Sequence, residues 1–303
     1  MSARILAFIN QKGGVGKTTS AVNIGSLLAR EHNRRVLLID LDPQGNLSDH
    51  FGIDPNHLQF SLYHALIGQV ALKDIVHNAH GVDILPGNLD LAGLETHLAT
   101  SERRESRLAE LIQPIVFQYD YILIDCPPSL GLLTVNALTV SDAVIVPMQA
   151  EYLALRGLTQ LMEVTAFVKE SANPSLEIGA VLFCNFSPQT ILAKQVKADV
   201  DRNFKGKVLG IAIRKNVRLA EAPSHGLPID LYDAVSTGAA DYRAATSELA
   251  ARFPPKPHMP FPVEISDKSE EESDVEFVTV QDVIEVETKP QVEMISDFRK
   301  KPL

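Results

Sequence analysis

A glycine-rich loop set between an apolar run and a helix-like segment constrains this chain more than any other feature. Ile5 to Ile9 is apolar, Asn10-Gln11-Lys12-Gly13-Gly14-Val15-Gly16-Lys17-Thr18-Thr19 follows, and Ser20 to Arg30 has helical character. Strand, loop and helix in that order make a phosphate cradle. The glycines let backbone N–H groups turn inward toward anionic oxygens, and the helix adds the positive end of its dipole. Lys17 is placed to neutralise β- and γ-phosphates, and the Thr18 hydroxyl to ligate Mg²⁺. Gly13, Gly14, Val15, Gly16 and Thr19 complete the candidate nucleotide contacts. The ordinary G-x-x-x-x-G-K-[ST] spacing asks for glycine at position 11, where this chain has Gln11, and a second lysine, Lys12, heads the loop.

The rest of the chain reads as alternating strands and helices. Val36 to Ile39, Val82 to Leu85, Tyr121 to Ile124, Ala143 to Pro147 and Ile178 to Asn185 are short aliphatic runs of the kind buried in parallel sheets. Helical stretches separate several of them, including Leu130 to Leu138 and a last amphipathic segment from Thr237 to about Phe253. The expected fold is α/β, a doubly wound, mainly parallel sheet flanked by helices. Two runs end in acid: Asp40-Leu41-Asp42-Pro43-Gln44-Gly45-Asn46 and Asp125-Cys126-Pro127-Pro128-Ser129. The carboxyl ends of strands are where such sheets bind ligands, and Asp125 after four apolar residues has the Walker B arrangement that holds Mg²⁺. Short helices are expected at Ser61 to Ile67 and Leu72 to Val76, and a charged surface helix at Ser101 to Ile112.

These phrases together resemble the deviant P-loop ATPases, the ParA-type partition and MinD-type septum-site families. The resemblance covers roughly residues 3–252. It implies that Lys12 reaches across an ATP-bound homodimer to the partner's nucleotide, and that Lys12 and Asp42 serve catalysis, Asp42 by positioning the attacking water. It also implies that Asp40 joins Thr18 and Asp125 around Mg²⁺. Gln149 and Glu151, in Pro147-Met148-Gln149-Ala150-Glu151, would lie near the nucleotide and the dimer seam, and Asn185 would contact adenine. Asn216-Val217-Arg218-Leu219-Ala220-Glu221-Ala222-Pro223-Ser224-His225-Gly226 matches a phrase typical of the ParA type, where the arginine belongs to a nonspecific DNA-binding surface. The resemblance further implies a centromere-binding, ParB-like partner that stimulates hydrolysis.

Charge agrees with a local DNA surface and excludes a global one. Net charge is −10, yet Lys194 to Arg218 holds eight basic residues against Asp199 and Asp201, a local +6. No aromatic platform accompanies the cluster, so phosphate contact through Lys197, Arg214, Lys215 and Arg218 is expected rather than base readout. Two positions depart from the ParA pattern: Gln189-Thr190 replaces an arginine before threonine, and Arg214 replaces a proline.

Two cysteines, Cys126 and Cys184, argue against a disulfide framework and fit a reducing cytoplasm, where the ParA-type resemblance implies association with the nucleoid. They also stand outside any cluster-ligating pattern, which disfavours an electron-transfer iron protein. The histidines have no tight ligand spacing. Residues 1–253 are expected to form the ATPase domain. Residues 254–303 carry five early prolines and 12 acidic against 6 basic residues, the composition of a disordered tail, with one alternating stretch from Val275 to Glu287. An acidic, proline-rich terminus lacks the basic amphipathic helix of the MinD alternative, so no membrane contact is expected.

Overall fold

A computed structural model describes residues 3–151 and 154–257. Within it, seven strands form one sheet: β1 (Arg4–Phe8), β2 (Val36–Asp40), β3 (His77–Ala79), β4 (Val82–Leu85), β5 (Tyr121–Asp125), β6 (Ala143–Met148) and β7 (Glu177–Phe183). Their order is β3-β4-β2-β5-β1-β6-β7, and every pair is parallel except the β3–β4 edge hairpin. The doubly wound sheet expected from the aliphatic runs is present.

Alternation along the strands divides the core between two faces. Leu6, Phe8, Leu38, Leu123, Ile145 and Leu182 pack with the helices Lys17–Arg30 and Thr237–Arg252. Ile5, Ala7, Ile39, Ile122, Ile124, Val144 and Phe183 pack on the opposite face with the helices Leu132–Val140, Ala154–Ser171 and Ile191–Asn203. With apolar side chains taken out of water on both faces, each central strand must be apolar throughout, which is why the runs do not alternate with polar residues.

The connections place the site. The chain leaves β1, crosses through Lys17–Arg30 and enters β2, but β5 lies between them. From β5 the chain crosses β1 through Leu132–Val140 and enters β6 on the other side. Winding therefore reverses around β1 and β5, and a crevice opens at their carboxyl ends. Phe8 and Asp40 are both register partners of Asp125, so the two acids stand side by side where the glycine loop begins.

Some local expectations shift. The helix after the loop begins at Lys17, three residues before the apolar periodicity that announces it. The helix expected over Ser101 to Ile112 is shorter, running Arg107–Ile112 behind a 3₁₀ turn at Arg104–Ser106. Buried Asn136 sets that boundary: its Oδ1 accepts from Leu108 N at 3.0 Å and its Nδ2 donates to Arg104 O at 2.9 Å. Leu72–Asp74 is a 3₁₀ turn. The Val275 to Glu287 stretch lies outside the described residues.

Candidate active site

The loop is held open by its own backbone and by two amides. Gly14 and Gly16 adopt φ of 71° and 97°, left-handed conformations that side chains resist. A Cβ at Gly16 would also stand 3.1 Å from Cys184 Cβ, which fixes glycine there twice over. Asn10 Oδ1 accepts from Lys12 N at 3.0 Å while its Nδ2 donates to Pro147 O at 2.8 Å, tying the loop's first turn to β6. Gln149 Nε2 donates to Gly14 O at 2.9 Å and ties its second. Lys17 is 6% exposed, and its ammonium donates to Lys12 O at 3.3 Å, inside the loop.

Beneath the loop lies a buried acidic pair. The Thr18 hydroxyl donates to Asp125 Oδ2 at 2.6 Å. Asp40 Oδ2 accepts from Ser48 N at 2.8 Å and Ser48 Oγ at 2.7 Å. The second oxygen of each carboxylate, Asp40 Oδ1 and Asp125 Oδ1, is buried without a hydrogen-bond partner among the described residues. Burial pushes Asp40 up to about 6, against the lowering effect of Ser48. Burial, and then the charge of Asp40, pushes Asp125 well above the usual carboxylate range. Two adjacent buried carboxylates that each leave an oxygen unused are poorly satisfied alone and well suited to a shared cation. The donor set of one hydroxyl and two carboxylates fits Mg²⁺, a hard cation that prefers oxygen. Asp42, also buried, accepts from Gln44 N at 3.0 Å through Oδ1 and lies at the start of the loop leaving β2.

Lys12 extends from the loop to form an ion pair with Glu151. That pair borders a cavity of about 370 Å³ lined by Asn10, Gln11, Met148, Gly157 and Gln160 among others. On the other side of the loop, a cleft of about 380 Å³ runs from Gly14, Gly16 and Thr19 past Cys184 and Asn185 to Asn216 and Leu219. Asn185 has φ of 51°, the turn conformation that lets its side chain leave the end of β7. The cleft has the size and position for a nucleoside whose phosphates lie in the loop.

The basic residues are spread over several elements and most are paired. Lys197 forms an ion pair with Asp201 at 2.9 Å and stands 5.9 Å from the Phe183 ring centroid. Arg218, about half exposed, pairs with Glu221 at 2.8 Å and Asp233 at 3.3 Å. Arg214 pairs with buried Asp241, so the charge it adds is balanced inside the fold. Lys215 lines the nucleoside-sized cleft and has no ion pair with a described residue. Residues that motif reasoning did not single out carry much of this geometry: Asn10, Ser48 and Asp241. Only the Asx-type position of Asn10 at the head of the loop offered a local signal; Ser48 meets Asp40 only once the intervening turn has folded, and Asp241 acts on Arg214 from a separate helix.

A family model described as an AAA domain matches residues 3–178. The chromosome partitioning protein ParA of Myxococcus xanthus is 43% identical over 255 residues, covering 84% of this chain and 90% of its own. The sporulation initiation inhibitor protein Soj of Bacillus subtilis is 45% identical over 250 residues, covering 82% and 98%. Among solved structures, cobyrinic acid a,c-diamide synthase from Mycobacterium smegmatis with bound ATP analog and magnesium aligns with a TM-score of 0.75 at 37% identity, covering 83% of this chain and 96% of that one. The septum site-determining protein MinD from Pyrococcus horikoshii, complexed with Mg-ADP, aligns at 0.65 and 27%, covering 82% and 96%. Relatives of this identity and coverage, together with the loop and its two acids, place the chain in the ParA-type family of P-loop ATPases.

Proposed function

We propose that this protein is a Mg²⁺-dependent partition ATPase, in which ATP drives homodimerisation, the dimer binds DNA without sequence preference, and a ParB-like partner stimulates hydrolysis and release. The observation that carries the reading is the conjunction of an open glycine loop, a buried Lys17 and the paired acids Asp40 and Asp125 with their unused oxygens. Loop N–H groups and Lys17 hold the phosphates through charge-assisted hydrogen bonds. Thr18, Asp40 and Asp125 would hold Mg²⁺, which when bound supplies positive charge against phosphate oxygens. Asp42 orients the water that attacks the γ-phosphate, its carboxylate fixed by Gln44 N. Asn185, which lines the cleft, would contact the adenine.

Lys12 links chemistry to assembly. Within one chain it is held by Glu151, and in the dimer it crosses to the partner's nucleotide. A contact that exists only while ATP is bound lets hydrolysis undo the dimer. Dimerisation doubles the number of available cations, among them Lys197, Lys215 and Arg218, so DNA affinity rises steeply with assembly. Cycling between these states on the nucleoid would move a DNA locus or other cargo, in keeping with the name of the chromosome partitioning relative. Among the described residues no helix is long and apolar enough to cross a membrane.

The direct test is Asp42→Ala. The variant is expected to bind ATP and dimerise on a sizing column while losing phosphate release by about a hundredfold or more, the scale of a lost water-orienting group. Undiminished turnover would remove Asp42 from this role.

A further inference from the structure

The far wall of the nucleoside-sized cleft is fastened to the helix Thr237–Arg252 at successive points along its first turns. Asn216 Nδ2 donates to Thr237 Oγ1 at 2.7 Å. Leu219 covers Gly238 so closely that a Cβ there would lie 2.9 Å from Leu219 Cγ. Arg214 then clasps Asp241 with three groups: its backbone N and Nε donate to Oδ2, each at 2.9 Å, and Nη2 donates to Oδ1 at 2.6 Å. The Asp241 side chain is only 3% exposed, so Arg214 is what balances its charge.

Asp241 is also next to the residue that joins this helix to the phosphate loop. Tyr242 lines the cleft, and its hydroxyl meets Ser20 Oγ at 3.1 Å on the helix that carries Lys17 and Thr18. Ser20 Oγ lies 3.6 Å from Cys184 Sγ, directly under Gly16. Across the cleft, Phe186 N donates to Ile213 O at 2.9 Å and Ile213 N to Phe183 O at 2.8 Å, so the stretch bearing Cys184 and Asn185 is stitched to the stretch bearing Arg214. Arg214 therefore fastens the wall of the cleft to the helix that Tyr242 ties to its floor, beside the contacts of Asn216 and Leu219.

We propose that Arg214 and Asp241 form a positioning pair for the nucleoside half of the nucleotide, setting how tightly base and ribose are held and leaving the grip on phosphate to the glycine loop. The proposal rests on the ATP-binding reading of the cleft. It gives Arg214 a role at the nucleotide, distinct from the DNA contact its position in the basic stretch suggests.

The pair is tested with Arg214→Gln/Asp241→Asn, because removing Arg214 alone would strand a buried carboxylate and threaten folding. The two amides keep a hydrogen bond and remove both charges. Affinities of the wild type and the double variant are measured for Mg-ADP and for Mg-pyrophosphate, with the thermal midpoint as a control on folding. Mg-ADP affinity is expected to fall about tenfold, equivalent to about 1.4 kcal/mol, while pyrophosphate affinity stays within about twofold. Arg214→Lys, which keeps the charge and loses the planar fork, should fall between. An unchanged Mg-ADP affinity would overturn the proposal, and so would an equal loss for both ligands, which marks a general structural effect. Wild-type protein that binds neither ligand would overturn the ATPase reading and this proposal with it.

Discussion

Burial decides the chemistry of individual side chains here, and His50 gives its cleanest test. It is 3% exposed, its Nε2 has no hydrogen-bond partner among the described residues, and burial lowers its pKa from 6.5 to about 4, against a raising hydrogen bond to the Leu227 carbonyl. The unfolded chain thus binds a proton at this residue between pH 6.5 and 4 that the folded chain refuses. Its contribution is complete above pH 6.5 and is lost as pH falls toward 4, by about 3 kcal/mol in all. The difference between wild-type and His50→Gln urea-denaturation profiles should show that slope; parallel profiles would contradict it. Lys17→Ala is expected to abolish nucleotide binding, since a buried ammonium inside the loop has no substitute, and retained ATP affinity by titration would contradict this. The motif residues were readable in sequence because their chemistry is written in consecutive positions: Lys12 to Thr19, Asp40 and Asp42, Asp125. Ser48, Asp241 and His50 were not, because each acts on a partner or in a surrounding that only folding brings to it.

Elements were legible in proportion to how strongly their own sequence specifies them. The central strands are continuous aliphatic runs, and β1, β2, β4, β5, β6 and β7 all lie within a residue or two of where those runs predict them. The edge strand β3, His77-Asn78-Ala79, carries no such run and exists through its pairing with β4. The helix expected from Ser101 gives way to Asn136 on a neighbouring helix, a tertiary contact overriding local propensity. Gly87 shows the reverse case, a turn residue whose need becomes visible only in the packed element. A Cβ there would lie 2.4 Å from the Asp40 backbone carbonyl, at the end of the strand that presents Asp40 to the site. Gly87→Ala is therefore expected to cost about 1–3 kcal/mol in urea denaturation, through a backbone shift rather than a side-chain adjustment. An alanine variant of wild-type stability would mean that the turn relaxes freely.

For the whole molecule, the proposed cycle lets the nucleotide govern a weak, repeated electrostatic contact with DNA. Lys197, Lys215 and Arg218 contributed by each of two subunits would make about six phosphate contacts, giving a slope of log affinity against log salt of about −5. Arg218→Glu should flatten that slope by about 2 in the dimer while leaving ATP affinity unchanged, and an unaltered slope would take Arg218 out of the DNA surface. The local positive balance was legible in sequence, Asp201 included, but the counter-charges from outside that stretch were not: Glu221, Asp233 and Asp241 come from several elements. The decisive measurement is DNA binding by the purified protein with ATP, with ADP and without nucleotide, across a salt series. Binding confined to ATP, with a steep loss as salt rises, is the result expected. DNA binding of equal strength in all three states, or none in any while ATP still drives dimerisation, would contradict it.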